Sequence, residues 1–242
     1  MLSKVTGIIL HHIKYKETSA IIHIYTDTFG RQSYLINNIR GKRASHQSNI
    51  LQPLFIVEME VYFKPGRELQ RVKEISNHIP FKTIPYDVHK SAQAMFIAEV
   101  LYRSVREEES NPGLFEFLLN SIQWLDTTVK NYMDFHILFV LHLTKFLGFY
   151  PENNYSERQQ FFDLRNGNFT SNSVIHTDLV KKNEGKILHD LLGKNYGTLK
   201  EMKISHSQRI SIISSLLDYY KLHVQGFQEV KSLAVLRELF EK

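Results

Sequence analysis

The sequence predicts an α+β chain in which a small five-stranded β-barrel precedes a mainly α-helical domain that carries a short β-hairpin insertion. Three observations predict it. Short runs rich in β-branched and aromatic residues, separated by turn-like segments, fill the first 80 residues. From Ser91 onward the apolar residues recur instead at spacings of three and four. Between those helical patterns, Asn166-Gly167 sits between two short runs, a strong local signal for a tight hairpin.

The strand candidates are residues 7–13, 19–26, 32–36, 55–63 and 69–75, with turns such as "DTFGR" and "KPGRE" between them. The fourth is the clearest: Val57, Met59, Val61 and Phe63 alternate with Glu58, Glu60 and Tyr62, the period of two of a half-solvated antiparallel strand. Five such strands in about 75 residues suit an OB-fold, a five-stranded barrel that binds single-stranded nucleic acid, and also suit an SH3-like barrel.

After Pro80 and Pro85, residues 91–109 place Met95, Ala98, Leu101, Tyr102 and Val105 on one helical face, with Ser91 as the expected N-cap. A second helix opens near Pro112, and a third, "DFHILFVLHLTKFLG", closes near Gly148. The third is apolar almost all round and is expected at the centre of a bundle whose core runs from 96 to 147. Two amphipathic helices near 205–225 and 229–241 follow. The predicted domains are 1–80 and 81–242.

Composition limits the function. No run approaches the ~20 apolar residues of a membrane span, and "GIILHHIK" is too short for a signal-peptide core, so the expected location is cytoplasmic. With no cysteine there is no disulfide, thiolate zinc site, iron–sulfur cluster or cysteine nucleophile. Two glycosylation sequons, at Asn154 and Asn168, carry no weight in a chain read as cytoplasmic. The sequence has no P-loop, no dinucleotide-binding G-x-G-x-x-G, no H-E-x-x-H and no G-x-S-x-G, so no enzymatic activity and no cofactor are expected. The run Glu107–Glu109 reads as a solvated helix end. His11 and His12 alternate across a strand, and His136 and His142 read as hydrogen-bonded core or rim residues, so no metal site is expected.

The net charge of +5 lies in the first third: residues 1–80 hold eleven Lys and Arg against six Asp and Glu, while residues 81–242 hold nineteen of each. A basic barrel joined to a neutral helical domain fits a polyanion-binding module attached to a partner-binding one. The densest basic element is "IRGKRAS", where Arg40, Lys42 and Arg43 surround Gly41 between the third and fourth strands. Glycine permits close backbone approach while the cations offer donors to phosphate. Lys14, Lys16, Arg31, Lys64, Arg67 and Arg71 lie near strand ends and extend the candidate DNA-binding set, with Tyr15, Tyr25, Phe29 and Tyr34 available to stack on bases. Two functional classes follow, a non-enzymatic protein that binds DNA through phosphate and an adaptor whose basic barrel grips RNA or an acidic protein tail.

The order of "IILHHIKYKETSAIIHIYTDTFGR", "IRGKRASHQSNILQPLFIVEMEV", "AMFIAEVLYRSVREEESNPGLFEFLLNSIQWLD" and "LTKFLGFYP" resembles the bacterial RecO family of recombination mediators over most of the chain. Its landmarks are Glu17-Thr18-Ser19, Thr26 to Gly30, the basic Arg40 to Arg43 with Ser45, and Leu51-Gln52-Pro53. The resemblance implies an N-terminal OB-fold and a helical C-terminal domain. It implies binding and annealing of single- and double-stranded DNA, displacement of single-strand-binding protein and, with RecR, loading of RecA in the nucleoid. It also implies that the helical domain receives the acidic, apolar-ended tail of single-strand-binding protein, for which Arg103, Arg106 and Lys130 are the candidate rim cations, beside Phe96, Leu101, Phe115 and Leu118. Many family members carry a four-cysteine zinc module after the segment matching "LGFYP". Here residues 149–175 have no cysteine, so zinc is not carried over from the resemblance, while the Asn166-Gly167 hairpin signal points to the module's shape without its metal.

Overall fold

In the computed structural model, which describes residues 1–37, 50–171 and 174–240, the first five strands form a closed barrel. They are β1 (Leu2–Lys16), β2 (Ser19–Thr26), β3 (Gly30–Asn37), β4 (Ile56–Tyr62) and β5 (Leu69–Ile79). Their order is β1-β2-β3-β5-β4, with β4 returning to β1 and one parallel pair, β3 with β5. This is an OB-fold, as the strand count suggested, and the closure leaves no unpaired edge around the barrel.

Alternation decides the barrel interior. Val5, Ile9, Ile22, Ile24, Tyr34, Ile36, Val57, Met59 and Val61 are buried in one cluster. Strands β1, β3 and β5 run longer than their apolar patterns because polar residues continue the ladders. Leu2 to Ile8 of β1 pair with β4, whereas Gly7 to Lys16 pair with β2, so one strand serves two neighbours in succession. A register shift between Ile9 and His11 marks the changeover, where Ile9 exchanges backbone hydrogen bonds with Leu54 and Phe55.

Contacts divide the chain into two units, Met1–Thr127 and Thr128–Lys242. The division falls inside the span expected to form one helical core. Two helices, α1 (Val88–Ser104) and α2 (Pro112–Thr127), belong with the barrel. Helix α1 lies against β1, covering the outward-facing Ile8 and Leu10. Its N-cap is Asp87, whose carboxylate accepts from the His89 and Lys90 amides; Ser91 instead donates to the Ile84 carbonyl. The expected cap was displaced because the helix begins a turn earlier, where Asp87 is an equally good capping residue.

A buried carboxylate fixes the chain between barrel and α1. Asp126, at the end of α2, accepts from the amides of Lys82, Thr83 and Ile84. Lys90, 2% exposed, reaches the Thr83 hydroxyl at 2.6 Å and the Asp126 carbonyl at 3.3 Å. Burial alone would raise the Asp126 pKa, but the three amides and Lys90 outweigh it and hold the carboxyl below its usual range. Gly30 makes a second close approach. It has φ +58°, and a Cβ there would collide with the Glu107 and Glu109 carbonyls.

The second unit contains α3 (Phe135–Phe146), strands β6 (Phe161–Asp163), β7 (Asn168–Thr170) and β8 (Leu179–Val180), α4 (Lys182–Leu192), a 3-10 turn (Tyr196–Glu201), α5 (His206–His223) and α6 (Ser232–Phe240). As its pattern requires, α3 is buried on nearly every face. Gly148 follows it at φ +82°. The hairpin forms at Asn166-Gly167, and β8 adds a third strand to it. Aromatic packing of Phe162, Phe169 and Tyr219 forms its base. The Asp163 carboxylate accepts from the Arg165 and Asn166 amides, and Asn154 makes paired hydrogen bonds to Phe169, as a neighbouring strand would.

Candidate nucleic-acid interface

The densest predicted element, Arg40, Lys42 and Arg43, lies outside the described residues; its point of departure does not. Asn37 ends β3 and pairs with Ser19, which pairs in turn with Lys16. Lys14 and Lys16 are exposed on the part of β1 that extends past its pairing with β4. On the other side of β3, Leu35 pairs with Arg71 of β5. The cations of β1 and β5 therefore flank the strand end from which the basic segment leaves.

The β4–β5 turn brings Lys64 and Arg67, both exposed, to the same pair of strands that carries Arg71. Its shape is set from inside the barrel. Gln70 is 2% exposed; its amide nitrogen donates to the Lys64 and Arg67 carbonyls at 2.8 and 2.9 Å, and its oxygen accepts from the Lys64 amide at 2.9 Å. The turn is thus pre-shaped by one buried side chain, a role that the sequence pattern did not single out. A polar residue on the buried phase of a strand was the available signal.

Arg31 sits differently. Its guanidinium donates to the Tyr102 and Val105 carbonyls at 2.8 and 2.7 Å and lies 4.7 Å from the Tyr102 ring centre. It complements the partial negative charge at the C-terminal end of α1. Burial is the main cause that lowers its pKa. His23, its ring tilted 5.0 Å from that of the same tyrosine, is pushed down to about 4, first by burial and then by Arg31. Arg31 therefore ties the barrel to α1.

The aromatics divide as well. Tyr25 and Tyr34 are buried, 1% and 0% exposed, and Phe29 stacks on Phe63 at 3.8 Å; these three are packing residues. Tyr15 remains exposed between Lys14 and Lys16. Tyr62, absent from the predicted set, is exposed too and is the cross-strand neighbour of Arg71. It occupies the outward phase of β4 with Glu58 and Glu60, which is how the sequence could have revealed it.

Of the predicted partner-binding residues, Arg103 pairs with Glu99 on α1 at 2.5 Å, Arg106 is exposed just beyond that helix, and Lys130 is exposed in the second unit. Phe96, Leu101 and Leu118 are fully buried, and Phe115 is half-buried against Tyr25. Among the described residues, no group of three or more His, Asp or Glu side chains is placed to hold a metal ion, and no helix is long and apolar enough to cross a membrane.

Comparison with known proteins places these features in one family. The family model described as "Recombination protein O N terminal" matches residues 1–80, and "Recombination protein O C terminal" matches residues 85–234. The chain is 40% identical over 242 residues to the DNA repair protein RecO of Bacteroides fragilis, covering all of both chains. It is 39% identical over 240 residues to that of Phocaeicola vulgatus, covering 99% of this chain and all of the relative. Against that of Flavobacterium psychrophilum it is 34% identical over 241 residues, with the same coverage.

Proposed function

The chain belongs to the RecO family, and from that membership and the arrangement of its barrel cations we infer that it is a non-enzymatic DNA repair and recombination mediator. It binds single- and double-stranded DNA, anneals complementary strands and helps load RecA onto strands coated by single-strand-binding protein. The observation that carries this reading is the convergence of exposed Lys14, Lys16 and Arg71 on the end of β3, from which the segment bearing Arg40, Lys42 and Arg43 departs. Cations placed along a barrel track a phosphate backbone without reading sequence, which suits a protein that must act on any strand. Lys64 and Arg67 extend the contact on a turn that Gln70 holds in shape.

RecR and the acidic tail of single-strand-binding protein are the proposed protein partners, with RecA engaged indirectly and the nucleoid as the place of action. Arg103, Arg106 and Lys130 remain the proposed contacts for the tail. An annealing assay tests the reading: complementary oligonucleotides coated with single-strand-binding protein should pair much faster when the chain is added. No acceleration, with the protein folded and the strands coated, would overturn it.

A further inference from the structure

Charge looks different once it is divided by the observed units. The first unit holds fifteen Lys and Arg against thirteen Asp and Glu, and the second holds fifteen against twelve. The segment from α1 to α2 brings acidic residues to the barrel unit, among them Glu107, Glu108 and Glu109 of the connection between the two helices, which were expected at a helix end; the second unit is itself basic.

Part of that excess is gathered in one place. Residues 156–159 form a tight turn closed by reciprocal backbone hydrogen bonds between Ser156 and Gln159, with Arg158 exposed within it. The Gln160 carbonyl that follows lies so close to Gly185 that a Cβ there would collide with it, which seats the first turn of α4 against this segment. Phe162 pairs with Val180, so Lys181 and Lys182, both exposed, emerge beside the same turn. One helical turn on, Lys186 lies 5.4 Å from the Tyr155 ring, which stacks on His189 at 4.5 Å. Four cations thus surround one short surface.

Their counterions are few. Lys186 pairs with Asp190 at 3.1 Å, but among the described residues Arg158, Lys181 and Lys182 form no ion pair. Glu157 is the acidic residue nearest in the turn, and Glu184 is turned to the Ser211 hydroxyl at 3.3 Å. Like charges held together without partners repel each other, and this cost is relieved when a polyanion supplies the countercharge and releases its condensed ions.

The geometry points to a second nucleic-acid contact surface, formed by Arg158, Lys181, Lys182 and Lys186, that holds the phosphate backbone of a strand other than the one on the barrel. This rests on the proposed mediator function, because pairing two strands requires that both be held. Nucleic acid is favoured over an acidic peptide because annealing calls for a second strand and the surface offers only charge, with its tyrosine ring already stacked.

The test uses the full chain and a short oligothymidylate, with binding stoichiometry and salt dependence as readouts. Wild-type protein should bind two short oligonucleotides, and R158E/K181E/K182E should bind one with its melting temperature unchanged. The milder R158A/K181A/K182A should lower the slope of log affinity against log salt by about 2 units, from ~0.7 per single-strand phosphate contact. Two oligonucleotides still bound to the Glu variant, with an unchanged salt slope in the Ala variant, would overturn the second surface while leaving the barrel reading intact. Saturable binding of polyglutamate that oligonucleotide does not displace, but that R158E/K181E/K182E abolishes, would also overturn it. A wild-type chain that binds no oligonucleotide would overturn both readings.

Discussion

Removing the Asp126 carboxylate should destabilise the first unit more than any surface change. Asp126 is 5% exposed and receives the amides of Lys82, Thr83 and Ile84 at 2.8, 2.8 and 2.9 Å, with the ammonium of Lys90 beside its carbonyl. In D126A those three amides lose their acceptor and Lys90 loses one of the two carboxylates, Asp87 being the other, whose charge offsets its burial. Breaking a buried charged interaction from one side costs about 3–5 kcal/mol, and orphaned amides cost about 1–3 kcal/mol each. The terms overlap, so the expected loss is about 4 kcal/mol, close to 10 °C or more in Tm. D126N should recover part of the loss, because its Oδ1 can still accept from the Thr83 and Ile84 amides while its NH2 would face the Lys82 N–H and its charge is gone. Urea unfolding followed by circular dichroism measures both, with D190A as control, since the exposed Lys186–Asp190 pair should matter by under about 0.5 kcal/mol. A D126A loss below about 1 kcal/mol would refute the clasp.

Three further outcomes are expected. Q70A removes no charge, yet it should weaken DNA binding severalfold by loosening the Lys64–Arg67 turn; unchanged affinity in an anisotropy titration would contradict the pre-shaped turn. R31A should lower Tm because the Tyr102 and Val105 carbonyls lose their donor, while the salt slope of DNA binding stays near wild type; a slope lower by about 1 unit with Tm unchanged would make Arg31 a phosphate contact instead. Lowering the pH from 7 to 5.5 should destabilise the protein. His23 and His142 are held near 4 and His136 near 3, against an unfolded value of 6.5, mainly by burial. Stability from these neutral histidines is whole above 6.5 and falls as the unfolded chain takes up protons below it, by about 1 kcal/mol for each by pH 5.5. A urea midpoint that holds from pH 7 to 5.5 would contradict this.

The barrel was legible because alternation, turn residues and strand count agree locally; each of the five predicted strands overlaps an observed one, and Val57, Met59 and Val61 point inward as their phase requires. The positions of α1, α2, α3, α5 and α6 were legible for the same reason, whereas α4 (Lys182–Leu192) was not read from the sequence. The placement of α1 and α2 was not legible, since a 3.6-residue period says that a helix has an apolar face but not what covers it. What joins them to the barrel is a set of contacts between residues distant in sequence, such as Asp126 with Thr83 and Arg31 with Val105, which no local pattern contains. Site reading divides along the same line. Charge density marked Lys14, Lys16 and Arg71, which do flank one strand end, yet it could not distinguish them from Arg31, because a cation's partner is fixed by tertiary neighbours. Tyr25 and Tyr34 were offered as stacking residues on composition alone. Tyr34 sits on the buried phase of β3, whereas Tyr25 lies on the outward phase of β2 and is buried because Phe115 of α2 stacks on it, a tertiary contact that no local pattern contains.

The most direct test of the central claim is the salt dependence of DNA binding by R40A/K42A/R43A. If these residues bind phosphate beside Lys14, Lys16 and Arg71, log affinity against log salt should flatten by about 2–3 units, at ~0.7 per contact on single strands and ~0.9 on duplex, with equal loss across sequences. A slope identical to wild type, in a variant that remains folded, would show that the basic end of this barrel is not where DNA is held.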